Sequence, residues 1–119
     1  MITVLLIDDE PDIAEMLSAL LESNGYQTRK ASSVRQAHEI LREDSIDVIL
    51  SDIMMPKLRG TLLRPLIYAD PRFSHIPIVF MTGYDFEHEK IPEQVLRKPF
   101  SSEQLFEAIG NASIQTPRT

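Results

Sequence analysis

Three carboxylates stand at the ends of two short apolar runs. Asp8 and Asp9 follow Val4-Leu5-Leu6-Ile7, and Asp52 follows Val48-Ile49-Leu50-Ser51. If two strands deliver these acids to one spot, each disfavours the ionised form of the others unless a cation or a proton neutralises them. Oxygen donors without His or Cys suit a hard cation, and Mg²⁺ binds one or two carboxylates while keeping several waters. A cation bound there would hold Asp52 ionised as a nucleophile and bridge it to a phosphoryl oxygen. Farther along, Thr82 ends Ile76-Pro77-Ile78-Val79-Phe80-Met81 and offers a hydroxyl donor, while Lys98 follows Gln94-Val95-Leu96-Arg97 with a mobile ammonium. Such donors are the electrostatic clamp that phosphoryl transfer requires. Each residue alone has a plainer reading: Asp8 and Asp9 as a turn and N-cap before Pro11, Asp52 as a loop cap, Thr82 as the end of a strand, Lys98 as a solvated charge.

The elements that must position these groups can be read from periodicity. Residues 2–7 are a near-continuous apolar strand, and Pro11 sits where a first helical turn accepts it. Ile13, Met16, Leu17, Leu20 and Leu21 predict one apolar helix face, ended by Asn24-Gly25. Tyr26 to Ala31 reads as a more polar edge strand. Ser33 with Gln36 predicts a capping box for a helix carrying Val34, Ala37, Ile40 and Leu41 inward. Asp47 to Ser51 is the third strand, and a helix containing Pro65 needs its N-cap near Thr61. Ile76 to Met81 and Gln94 to Arg97 are the fourth and fifth strands. Ser101 with Gln104, or Ser102 alone, caps a last helix with Leu105, Phe106 and Ile109 on one face. Strand and helix alternate five times, which predicts an α/β fold: a single doubly wound (βα)5 domain with a five-stranded parallel sheet. In such sheets sites form beyond the carboxyl ends of the strands, where Asp8, Asp9, Asp52, Thr82 and Lys98 all fall.

The chain's 119 residues suit one domain, and 43% hydrophobic with 25% charged residues suits a packed fold. Its apolar stretches are too short for a signal segment or a membrane span, so a soluble, cytoplasmic protein without membrane contact is expected. Zero cysteines exclude disulfides and thiolate chemistry. A net charge of −6 argues against nucleic acid as a direct partner.

From Ile2 to about Ala112 the chain resembles the response-regulator receiver domain of two-component signalling. The matching motifs are Asp8-Asp9-Glu10, Asp52-Ile53-Met54-Met55-Pro56 with Gly60, Met81-Thr82-Gly83 and Lys98-Pro99-Phe100. Any one alone is weak; together, in order and at strand ends, they are specific. The resemblance implies that Asp52 takes a phosphoryl group from a histidine-kinase phosphohistidine, a phosphotransfer protein or a small phosphodonor, and loses it slowly by its own catalysis. It implies a phosphoacceptor switch rather than an enzyme acting on other substrates. Asp9 would bind Mg²⁺, for which Mn²⁺ can substitute, together with Asp52 and the Met54 carbonyl, and Asp8 would act mainly through water. Thr82 would hydrogen-bond the phosphoryl group, Gly83 would keep the approach open, Lys98 would pair with a phosphoryl oxygen, and Pro99 would carry a cis bond. An effector domain or partner protein would read the switch, with the chain a monomer or a phosphorylation-dependent homodimer. Residues 1–112 are assigned to the receiver and 113–119 to a tail or the start of a linker.

Two departures from the family pattern stand out. Only fifteen residues separate Thr82 from Lys98, so the fourth helix is expected to be shortened or absent, with Phe86 to Ile91 its one candidate stretch. Val95 stands where the family usually places an aromatic that moves with the threonine. A degenerate receiver, acting as a phosphorylation-independent interaction module, is the alternative; the intact acid, Thr and Lys set argues against it. A haloacid-dehalogenase-type phosphatase ranks lower, because Met54 occupies the position of its second acid.

Overall fold

A strand buried on both faces reads as a continuous apolar run, and the runs at 3–7, 48–52 and 78–82 all become strands in the computed structural model. The structure describes residues 2–52, 54–55, 58–59, 68–82, 94–97 and 100–115. In chain order its elements are β1 (Thr3–Ile7), α1 (Pro11–Ser23), β2 (Gln27–Ala31), α2 (Val34–Glu43), β3 (Val48–Asp52), β4 (Met54–Met55), β5 (Leu58–Arg59), a 3₁₀ turn (Pro71–Phe73), β6 (Ile78–Thr82), β7 (Gln94–Arg97) and α3 (Ser102–Gln115). The main sheet has the order β2-β1-β3-β6-β7, and every pair in it is parallel. β4 and β5 form a separate antiparallel pair. Among the described residues, no helix is long and apolar enough to cross a membrane.

Alternation along the strands divides the core in two. Leu5, Ile7, Ile49, Ile78 and Phe80 pack with Ala37, Ile40 and Leu41 of α2 and with Phe73 and Ile76. Val4, Leu6, Val48, Leu50, Val79 and Met81 pack on the other side with Leu17 and Leu21 of α1 and Leu105, Ala108 and Ile109 of α3. The α/β layering expected from the sequence is therefore present, with helices on both faces of the sheet.

Several boundaries differ from expectation for local reasons. β6 begins at Ile78 rather than Ile76, because the Ile76 N–H donates to the Phe73 carbonyl and so completes the preceding turn. β3 ends on Asp52 itself, and Asp47 stays outside the strand, its carboxylate accepting the Thr3 N–H at 2.8 Å to hold β1 against the entry to β3. The buried stripe of α1 is Ala14, Leu17, Ser18 and Leu21. Met16, expected to face inward, is 60% exposed, since one residue's step of about 100° from Leu17 carries it off that stripe. Gly25, at φ 89°, ends α1 as expected, in the left-handed region that glycine enters freely.

Ser33 caps α2, accepting the Gln36 N–H at 3.1 Å, but the Gln36 side chain reaches one residue farther back than a standard box, to the Ser32 N–H at 2.8 Å. Ser101 and Gln104 close a reciprocal box on α3, at 3.1 and 2.8 Å. α3 runs to Gln115, three residues into the stretch expected to be a tail. The N-cap at Thr61, the helix containing Pro65, the fourth helix, Gly83 and the Lys98-Pro99 bond lie outside the described residues.

Candidate functional site

Register decides which strand ends meet. The β1–β3 ladder closes with Ile7 opposite Ser51, so the next positions, Asp8 and Asp52, stand side by side where these adjacent strands end. The Asp8 N–H extends the β1–β2 ladder by donating to the Ala31 carbonyl at 3.0 Å. On the other flank of β3, Asp52 lies opposite Met81, and Thr82 is the following residue. Thr82 lies opposite Arg97, the residue before Lys98. Lys98 itself lies outside the described residues. The sheet thus brings Asp8, Asp52 and the Thr82 backbone to one edge through consecutive strand neighbours.

Alternation also sets the side from which the acids project. Asp52 continues the series Val48, Leu50, and Asp8 continues Val4, Leu6, so both lie on the face covered by α1 and α3. They are deeply buried for carboxylates, at 2% exposure for Asp8 and 7% for Asp52. Buried carboxylates are costly and are retained where a partner or a cation compensates them. Asp8 also serves the turn, as its plainer reading foresaw: one carboxylate oxygen accepts the Glu10 N–H at 2.9 Å. That bond steadies the entry to α1, whose N-cap residue Glu10 contributes no side-chain cap and whose first turn holds Pro11 and Asp12. A carboxylate has about four lone-pair sites, so the turn and a second role are compatible.

Asp9 lies half-buried in the same turn. Among the described residues no three Asp, Glu, His or Cys side chains are grouped to hold a metal; the strand register places Asp8 and Asp52 at adjacent strand ends. Asp9 follows in sequence, and Met54 begins β4 two residues after Asp52. This all-oxygen set fits a cation that takes one or two carboxylates, a backbone carbonyl and waters, which describes Mg²⁺ or Mn²⁺ and not a soft metal.

Ser51 adjoins these acids in sequence, and the motifs single out no role for it. It is fully buried, and its hydroxyl donates to the Asp52 carbonyl at 3.2 Å. The signal was present in the sequence as a hydroxyl inside an otherwise apolar run, directly before the acid.

Comparison with known proteins agrees with this geometry. The family described as response regulator receiver domain matches residues 4–110. The chain is 34% identical over 109 residues to the Phosphate regulon transcriptional regulatory protein PhoB of Pseudomonas aeruginosa, covering 87% of this chain and 48% of that protein. It is 32% identical over 115 residues to Protein PilH of the same organism, covering 92% and 95%. The chain therefore spans about half of the first relative and nearly all of the second. Among solved structures, the chemotaxis protein CheY4 of Vibrio cholerae superposes with a TM-score of 0.82 at 27% identity, over 94% of this chain and 98% of that one. The receiver domain of the Francisella response regulator 1452 gives 0.85 at 27%, over 98% and 100%. Fold, strand-end acids and family match coincide over the same residues, and the chain belongs to the response regulator receiver domain family.

Proposed function

We propose that this receiver is a phosphorylatable switch in which Asp52 accepts a phosphoryl group from the phosphohistidine of a histidine kinase or phosphotransfer protein. The observation that carries the reading is the pair of buried carboxylates, Asp8 and Asp52, side by side at adjacent strand ends. A carboxylate oxygen of Asp52 attacks phosphorus, an O–P bond forms, the P–N bond of the donor breaks, and the released imidazole takes up a proton from solvent. Asp9, Asp52 and the Met54 carbonyl would hold Mg²⁺, with Asp8 contributing through water; the bound cation supplies neutralisation of the acids and of the phosphoryl oxygens. Thr82 and Lys98 donate to the remaining phosphoryl oxygens; Thr82 ends β6 opposite Arg97, which Lys98 follows in sequence, and this supports that role. Attack of water on phosphorus later breaks the Asp52 O–P bond, releasing inorganic phosphate and returning Asp52 to the carboxylate. Phosphorylation biases an equilibrium between two conformations, which an effector domain or partner protein reads. The switch acts in the cytoplasm, where kinase and phosphodonor are available.

The test is incubation of the chain with Mg²⁺ and acetyl phosphate, followed by intact mass. A phosphoryl adduct that Asp52→Asn abolishes and that chelation of Mg²⁺ prevents is the expected result. A wild-type chain that takes up neither phosphoryl group nor beryllofluoride, and binds no Mg²⁺, would instead make it a phosphorylation-independent interaction module.

A further inference from the structure

Ser51 departs from the pattern of its strand. Its register neighbours are Ile7 on β1 and Phe80 on β6, both fully buried members of the core beneath α2. A hydroxyl at such a place costs desolvation, where Ala or Val would fill the space without that cost. Departures of this kind concentrate where function makes a demand that packing does not. Its hydrogen bond to the Asp52 carbonyl offsets the cost, and that carbonyl belongs to the peptide by which the chain leaves Asp52 toward Met54. A planar peptide leaves two soft dihedrals per residue. Holding the Asp52 carbonyl therefore restricts rotation about the Asp52 Cα–C bond, and with it the direction in which the backbone leaves the phosphoacceptor.

We infer that Ser51 is a positioning residue for the phosphoacceptor site: from the opposite face of the sheet, its hydroxyl holds the peptide that follows Asp52, the first step of the backbone between two oxygen donors, the Asp52 carboxylate and the Met54 carbonyl. This rests on the reading of Asp52 as a Mg²⁺-dependent phosphoacceptor. Ser51 touches neither cation nor phosphoryl group in this scheme, so its loss weakens the site without abolishing it.

The experiment compares Ser51→Ala, Ser51→Cys and Ser51→Thr with wild type in the whole chain. It measures Mg²⁺ affinity by calorimetric titration, the rate of acetyl-phosphate labelling by mass, and the urea midpoint. Residues that orient metal ligands are worth 10–100-fold in affinity; acting through one peptide, Ser51 is expected to be worth about threefold to tenfold. Ser51→Ala should show that loss in Mg²⁺ affinity and a matching slowing of labelling, with the urea midpoint unchanged or raised. Ser51→Cys keeps the shape but donates poorly and should behave like Ala, carrying the comparison if Ser51→Ala does not fold. Ser51→Thr restores the donor and should restore both functional readouts. Ala and Cys variants equal to wild type in both would overturn the inference while leaving Asp52 as phosphoacceptor. A Thr variant as stable as wild type yet as slow as Ala would overturn it too. If the wild type binds no Mg²⁺ and takes no label, the reading of Asp52 and the inference fall together.

Discussion

On the face covered by α1 and α3, the series Val4, Leu6 and Val48, Leu50 runs on into Asp8 and Asp52; on the face covered by α2, Leu5, Ile7 and Ile49 run on to Ser51. Both faces are apolar through the middle of the sheet, and they diverge only in the last residue or two. One ends in carboxylates that remain buried at 2% and 7%, above a floor formed by Leu6 and Leu50. The other ends in a hydroxyl turned back onto the backbone. A strand has two sides, and a shift of one residue would exchange them. Parity alone thus decides which of two consecutive residues, Ser51 or Asp52, stands on the face of the paired carboxylates and, in the proposed switch, which of them meets an incoming group.

The strongest way to break this division is at Asp52. Asp52→Asn should eliminate acetyl-phosphate labelling, measured by intact mass, while the far-ultraviolet circular dichroism stays native. A residual adduct of comparable size would mean that Asp52 is not the acceptor. Next in size is a matched pair of cavities, Leu50→Ala beneath Asp52 and Ile49→Ala beneath Ser51, both at fully buried positions. Each should lower unfolding free energy by about 2–5 kcal/mol in urea titrations. Only Leu50→Ala should also slow labelling in protein that remains folded, because it removes the floor under the carboxylate. Equal slowing by both would erase the functional difference between the faces.

Legibility from sequence followed the same division. Strands were readable wherever both faces are buried, because a continuous apolar run has few other uses; β3 and β6 needed shifts of only one or two residues. The acids were readable because Asp at the end of such a run has no packing reason to be there. Less legible was whatever depends on phase within a helix or on a single bond. Met16 shares the apolar character of Leu17 and Leu21, and only the observed stripe through Ala14 and Ser18 shows that it faces outward. Ser51 passed as part of a run because its role lies in a bond to its neighbour's carbonyl, which composition does not encode. Asp9 lies half-buried beside a buried Asp8, a difference in burial that adjacency in sequence does not encode.

Smaller effects sharpen the comparison at the helices that cover each face. Ser33 caps α2, and Ser101 caps α3 in a reciprocal box. Replacing either by Ala should cost about 1 kcal/mol in a urea titration. Because only Ser101 opens the helix over the carboxylate face, Ser101→Ala should also raise amide exchange around Leu105. Ser33→Ala should leave that region unchanged.

The smallest expected effect belongs to the segment beside α2. Asp70 caps the 3₁₀ turn by accepting the Arg72 N–H at 3.0 Å, and the Arg72 guanidinium binds the same carboxylate, with its closest contact at 2.6 Å. These bonds, the side-chain one first, lower the Asp70 pKa from 3.8 to about 2. Because the folded value lies below the unfolded one, ionised Asp70 favours the native state. Its contribution is present in full above pH 4, declines as pH falls toward 2, and is gone below that. Asp70→Asn keeps a capping oxygen but removes the charge. The difference in urea midpoint between wild type and Asp70→Asn should therefore be constant from pH 5 to 7 and shrink between pH 4 and 2. Taking the difference cancels the titration of acids common to both chains. Salt should reduce it, since the pair lies at the surface, where ion pairs are screened and weak. A difference independent of pH would assign the role of Asp70 to its capping geometry alone. The α2 side would then contribute no charge-dependent stability through this pair.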